Sequence, residues 1–80
     1  MSLRPKKRSL TLRGHRTSVS IEDRFWAAFC SIARECDLAI NELAALIDET
    51  RDIETVGLAS AIRDYVLCHY MDRAADQSRD

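Results

Sequence analysis

The chain is poor in the residues that break up or cross-link a fold. Its 80 residues include one proline, two glycines and three cysteines, and its aromatics are one tryptophan, two tyrosines and two phenylalanines. With 46% hydrophobic and 31% charged residues, so little Gly and Pro excludes a long disordered or low-complexity tract away from the ends. No internal repeat is visible. No apolar run of 18 residues and no secretory signal appears, so the reading is a cytoplasmic chain with reduced thiols and no membrane association. Cys30, Cys36 and Cys68 are an odd number and form no CxxC pair, so they match neither a disulfide framework nor a zinc signature. With His69 they could surround a metal. Each, however, falls on or beside a helical apolar stripe, where a small buried thiol is ordinary, and no metal or cofactor is expected.

The motifs of common enzyme chemistry are missing as well. There is no Gly-rich phosphate loop, no HExxH and no recognisable nucleophile motif, and His15 and His69 are the only histidines. The acid pairs Glu22/Asp23, Asp48/Glu49 and Asp72/Asp76 suit solvated faces or helix starts better than acid–base work. The expectation is a protein without catalytic residues.

What is present is a marked separation of charge. Residues 1–16 hold Arg4, Lys6, Lys7, Arg8, Arg13 and Arg16 and no acid, while residues 17–80 hold the other six cations and all thirteen acids. A net charge of +6 in the first segment against −7 in the rest points to an N-terminal element facing a polyanion and an acidic body turned away from it.

Period-two alternation of Thr17, Val19 and Ile21 with Arg16, Ser18 and Ser20 predicts a strand over about Arg16–Ile21, with Arg16, Ser18 and Ser20 on the outer face. Ser9–Leu12 reads as a weaker strand, and Gly14-His15 permits a turn. Residues 1–8 read as a flexible basic arm, 9–74 as the folded domain and 75–80 as a frayed tail. A first helix starts near Glu22-Asp23, with Phe25, Phe29, Ile32, Ala33 and Cys36 as its buried stripe, widened by Trp26 and Cys30. A second helix over about Ile40–Glu49 buries Ile40, Leu43, Ala44 and Ile47 and exposes Asn41, Glu42 and Asp48. The polar segment Thr50–Gly57 reads as a connector. A third helix over about Leu58–Ala74 carries Leu58, Ile62, Tyr65, Val66 and His69 on one face, with Ala61 and Tyr70 beside it.

A chain this short buries too little surface to be comfortably stable alone, and a single strand leaves backbone donors and acceptors unpaired along both edges. Pairing with the same strand of a second copy is the simplest remedy. It would make an antiparallel ribbon with Val19 and Ile21 beneath and Arg16, Ser18 and Ser20 presented twice.

The strand "RTSVSI" followed by acids, the helix "FWAAFCSIAREC", the turn "DL" and the opening "AINELAALI" resemble the ribbon-helix-helix family of dimeric bacterial DNA-binding proteins. The likeness is closer to a short subgroup with a "RSLTLRGHRTSVSIED" type of start and a "LASAIRDYVLCHY" type of ending, and it covers about Arg8–Tyr70. It implies a mainly α fold with a short N-terminal strand: an intertwined homodimer with an intersubunit antiparallel β-ribbon, plus an extra third helix. It also implies a function, a transcriptional regulator that inserts the ribbon into the major groove of double-stranded DNA. Base contacts would then fall to Arg16, Ser18 and Ser20, with Arg16 the strongest discriminator. Phosphate contacts would fall to Arg4, Lys6, Lys7, Arg8, Arg13 and His15, and to the backbone N–H groups of Ile40 and Asn41 at a helix start. The chain departs from the family at Ala39, where a capping Ser or Thr is common, and in having a third helix. The alternative reading is an antitoxin-like or adaptor dimer that acts on a protein partner through the third helix and the acidic body.

Overall fold

The computed structural model describes residues 4–50 and 57–77. Most of the expected connector and the last three residues of the expected tail lie outside the described residues. Five elements follow in order: β1 (Lys6–Leu12), β2 (His15–Ile21), α1 (Asp23–Glu35), α2 (Ile40–Thr50) and α3 (Leu58–Gln77). No helix among the described residues is long and apolar enough to cross a membrane.

The strand over Arg16–Ile21 is present, yet it is not alone. β1 pairs with it antiparallel within the same chain, in a register running from Lys6↔Ile21 to Leu12↔His15. β1 therefore begins three residues before the expected weak strand and takes in Lys6, Lys7 and Arg8, which the sequence had placed in a flexible arm. The two-residue turn is Arg13-Gly14, one position earlier than expected. Its φ values of 52° and 82° are both positive, which matches the twist of the flanking strands and explains why glycine occupies the second position.

Alternation then sorts the hairpin into two faces. Leu10, Val19 and Ile21 are buried below it, with Leu12 half-buried beside them, while Lys7, Ser9, Thr11, Arg16, Ser18 and Ser20 are exposed above. Val19 and Ile21 are thus covered by their own chain. Their burial does not depend on the second copy that the sequence reading brought in as the strand's partner.

α1 presents Phe29, Ile32 and Ala33 to the core at helical spacing. It ends in a paired hydrogen-bond closure: Leu38 N–H donates to the Ala33 carbonyl at 2.9 Å and Asp37 N–H to the Arg34 carbonyl at 3.1 Å. Asp37 takes the left-handed conformation (φ 59°) that this closure requires. Because the helix stops at Glu35, Cys36 falls past the end of the stripe and is exposed rather than buried. α2 buries Leu43, Ala44 and Ile47, and Ile40 is half-buried. Asp48, expected to be exposed, is half-buried as well.

α3 buries Ile62 and Val66 one turn apart and continues to Gln77, three residues into the span expected to fray. Tyr70 and Cys68 are on its exposed side. All five elements contribute to one apolar core, which holds no polar or charged residue among those described.

Candidate nucleic-acid interface

The outer face of the hairpin is the candidate surface. Cross-strand pairing sets Lys7 opposite Ser20, Ser9 opposite Ser18 and Thr11 opposite Arg16, all pointing the same way. Two cations and four hydroxyls share this face, with no carboxylate. A shallow depression of about 380 Å³ is lined by Lys7, Ser9, Arg16 and Ser18 of this face together with Thr17. The expected base-reading residues Arg16, Ser18 and Ser20 all lie here and are exposed. Sequence reasoning missed Ser9 and Thr11, although period-two counting back from Leu10 and Leu12 would have placed them outward.

The expected phosphate-binding cations divide sharply by strand parity. Lys7 points outward and is exposed, whereas Lys6 and Arg8 lie on the inner side of β1. Lys6 Nζ stands 3.1 Å from Asp23 Oδ2, and the Arg8 guanidinium binds Asp23 Oδ1 and lies 5.3 Å above the Trp26 ring. Arg8 is therefore a packing and pairing residue beneath the sheet, not part of the presented face. Hydrogen bonds from Lys6 and then Arg8 hold the Asp23 carboxyl below its usual range. At the turn, Arg13, a third cation expected at a phosphate, pairs with Glu49 of α2. Arg4 is exposed just ahead of β1, and His15 is exposed at the first position of β2.

The start of α2 also differs from expectation. The Asn41 side-chain oxygen accepts a hydrogen bond from Thr11 N–H at 3.1 Å, so this helix end is tied to the edge of β1. Glu42 Oε1 accepts from Ala39 N–H at 3.2 Å, the reach-back half of a capping box, which partly replaces the hydroxyl that Ala39 lacks. A carboxylate thus stands at the helix end where Ile40 and Asn41 were expected to hold a phosphate, and it opposes an anion there.

The structure adds an interaction that nothing in the sequence signals. Arg63 of α3 donates to Glu22 from Nε at 2.8 Å and from Nη2 at 3.2 Å, and the same Nη2 donates to the Ser20 carbonyl at 2.9 Å. The guanidinium clamps α3 to the junction of β2 and α1, and its hydrogen bond is the first cause of a lowered Glu22 pKa. These bonds also show which way the strand edges point. Thr11 N–H and the Ser20 carbonyl both face away from the hairpin partner, so by antiparallel alternation the backbone groups of Arg16, Ser18 and Ser20 line the outer edge of β2.

A ribbon strand running straight into α1, followed by a tight turn and α2, with its polar face open, is the element order of a ribbon-helix-helix fold. The sequence profile of the ribbon-helix-helix domain matches residues 5–70, from just before β1 to Tyr70 of α3. The chain belongs to the ribbon-helix-helix family. Its domains are DNA-binding regulators and generally bind DNA as dimers. No curated protein and no solved structure matches the chain.

Proposed function

We propose that this chain is a homodimeric, sequence-selective DNA-binding regulator whose β2 strands pair across a two-fold axis and enter the major groove. The observation that carries the reading is the outer hairpin face: Arg16, Ser18 and Ser20 exposed in one row, cationic, hydroxyl-rich and free of carboxylates. Pairing of two copies is supported by the outer edge of β2, where the backbone groups of Arg16 and Ser18 have no protein partner among the described residues. An antiparallel β2–β2′ ribbon satisfies them and doubles the reading row. Arg16 pairs with the guanine edge through its fork of donors, and the serine hydroxyls donate or accept to several bases.

The test is fluorescence anisotropy on duplexes recovered from genomic fragments, with sedimentation for the oligomer. Arg16→Ala is expected to keep the dimer and its helicity while losing about 1–3 kcal/mol of specific affinity for each guanine contact. Non-specific affinity falls less. Unchanged affinity in Arg16→Ala, or a monomer at the concentrations that bind DNA, refutes the proposal.

The second reading, action on a protein through the helical body, is favoured by exposed Leu67, Tyr70 and Met71 beside an apolar groove that also takes in Phe25 and Ala28. Silent Arg16→Ala together with loss of a protein partner in Met71→Asp would establish it instead. Arg63 is unsuitable for that experiment because it clamps α3 to β2 and α1.

A further inference from the structure

We infer that β1 is the phosphate-holding part of the interface: in the two-copy sheet Lys7, Ser9 and Thr11 lie over the rims of the major groove, and base reading is confined to β2. This rests on the proposal that the two copies pair through β2. One edge of β2 is already taken by β1 of its own chain. Pairing at the other edge therefore produces a four-stranded sheet in the order β1, β2, β2′, β1′, and not the two-stranded ribbon that the sequence alone suggested.

Width decides what each strand can touch. Neighbouring strands lie about 4.8 Å apart, so the two β2 strands run about 2.4 Å to either side of the two-fold axis and the β1 strands about 7 Å. A major groove about 12 Å wide has its rims about 6 Å from the centre, so the full sheet cannot enter it. The central pair faces the floor of the groove, and each β1 faces a sugar–phosphate rail.

The side chains agree with that division. The outward row of β1 is one ammonium and two hydroxyls, the donors that phosphate oxygens accept. Among the described residues no carboxylate pairs with Lys7, whereas its inward neighbours Lys6 and Arg8 are both held by Asp23. At the far end of the row, Thr11 N–H is bound by Asn41, which ties β1 to α2 and fixes the height of the row above the DNA.

Two measurements on the full chain separate this inference from its parent. The first is the salt dependence of binding to a random-sequence duplex, and the second is the sequence preference selected from a randomised duplex pool. Lys7→Ala is expected to reduce the slope of log affinity against log salt by about 0.9 per lost phosphate contact, about 1.8 for the dimer, and to leave the selected sequence unchanged. Ser9→Ala and Thr11→Ala are expected to weaken binding to all duplexes alike. Arg16→Ala serves as the control and is expected to change the selected sequence. If Arg16→Ala alters the preference but Lys7→Ala leaves the salt slope intact, or itself alters the preference, the rail assignment is overturned while the β2 reading stands. If Arg16→Ala changes nothing, or the wild type binds no duplex, both fall together. Lys7 is exposed and makes no described pair, so circular dichroism of the variant is expected to match wild type.

Discussion

Truncating Leu10 tests whether β1 is a docked strand or a loose basic arm. Leu10 is 1% exposed and packs in the core with Val19, Ile21 and residues of all three helices. Leu10→Ala removes three carbons, about 2.4 kcal/mol of transfer free energy at about 0.8 kcal/mol per methylene, and the cavity left behind brings the expected cost into the range of about 2–5 kcal/mol. A domain of this length has a total stability of about 4–12 kcal/mol, so the loss is a large share of it. At about 4–8 °C per kcal/mol for a domain of 60–100 residues, the melting temperature should fall by at least about 10 °C. The assay is thermal and urea denaturation followed by circular dichroism. It should be run at several protein concentrations, because the melting point of a dimer depends on concentration. Leu67→Ala, at a position 53% exposed, is the control and should cost under about 0.5 kcal/mol. A Leu10→Ala shift no larger than that of Leu67→Ala would show that β1 does not pack in solution, and the rail assignment would go with it.

Further outcomes follow from the turn and from the carboxylates at the head of α1. Gly14→Ala places a Cβ in open space but at φ +82°, so it should lower stability by about 1–2 kcal/mol through backbone strain alone, read as a lower urea midpoint; no change would contradict the turn geometry. Glu22 and Asp23 have lowered pKa values, caused first by Arg63 and by Lys6 with Arg8 respectively. Their stabilisation is therefore present above the unfolded carboxylate pKa values of about 4 and is lost as pH falls through the lower folded values. An acid titration of Trp26 fluorescence should show the tertiary packing loosening below about pH 4, and the double variant Glu22→Gln, Asp23→Asn should flatten that part of the stability curve. An identical acid profile in the double variant would argue against both clamps.

The parts legible in the sequence were those governed by local period. Val19 and Ile21 fell inward and Arg16, Ser18 and Ser20 outward because a pleated strand alternates whatever its partner is. The turn "DL" at Asp37-Leu38 fell on a true helix closure. What was hidden depended on contacts across the chain. Lys6 and Arg8 looked like a solvated arm because their carboxylate, Asp23, lies 17 and 15 residues away, and the Glu22–Arg63 clamp spans 41 residues. Cys36 was misplaced for a different reason: helical spacing was carried one residue beyond the end of α1.

The hairpin register has a consequence for how this chain can change length. A two-residue turn locks every position of β1 to one position of β2, so losing Thr11 alone would exchange the two rows for all of β1 that precedes it. Leu10 would then stand opposite Arg16, in solvent, and Ser9 would be forced into the inward place opposite Thr17. A loss of two residues keeps the rows in phase and only shortens the strand. Viable insertions and deletions in the hairpin should therefore come in even steps, a parity constraint that a library of random-length variants would reveal directly.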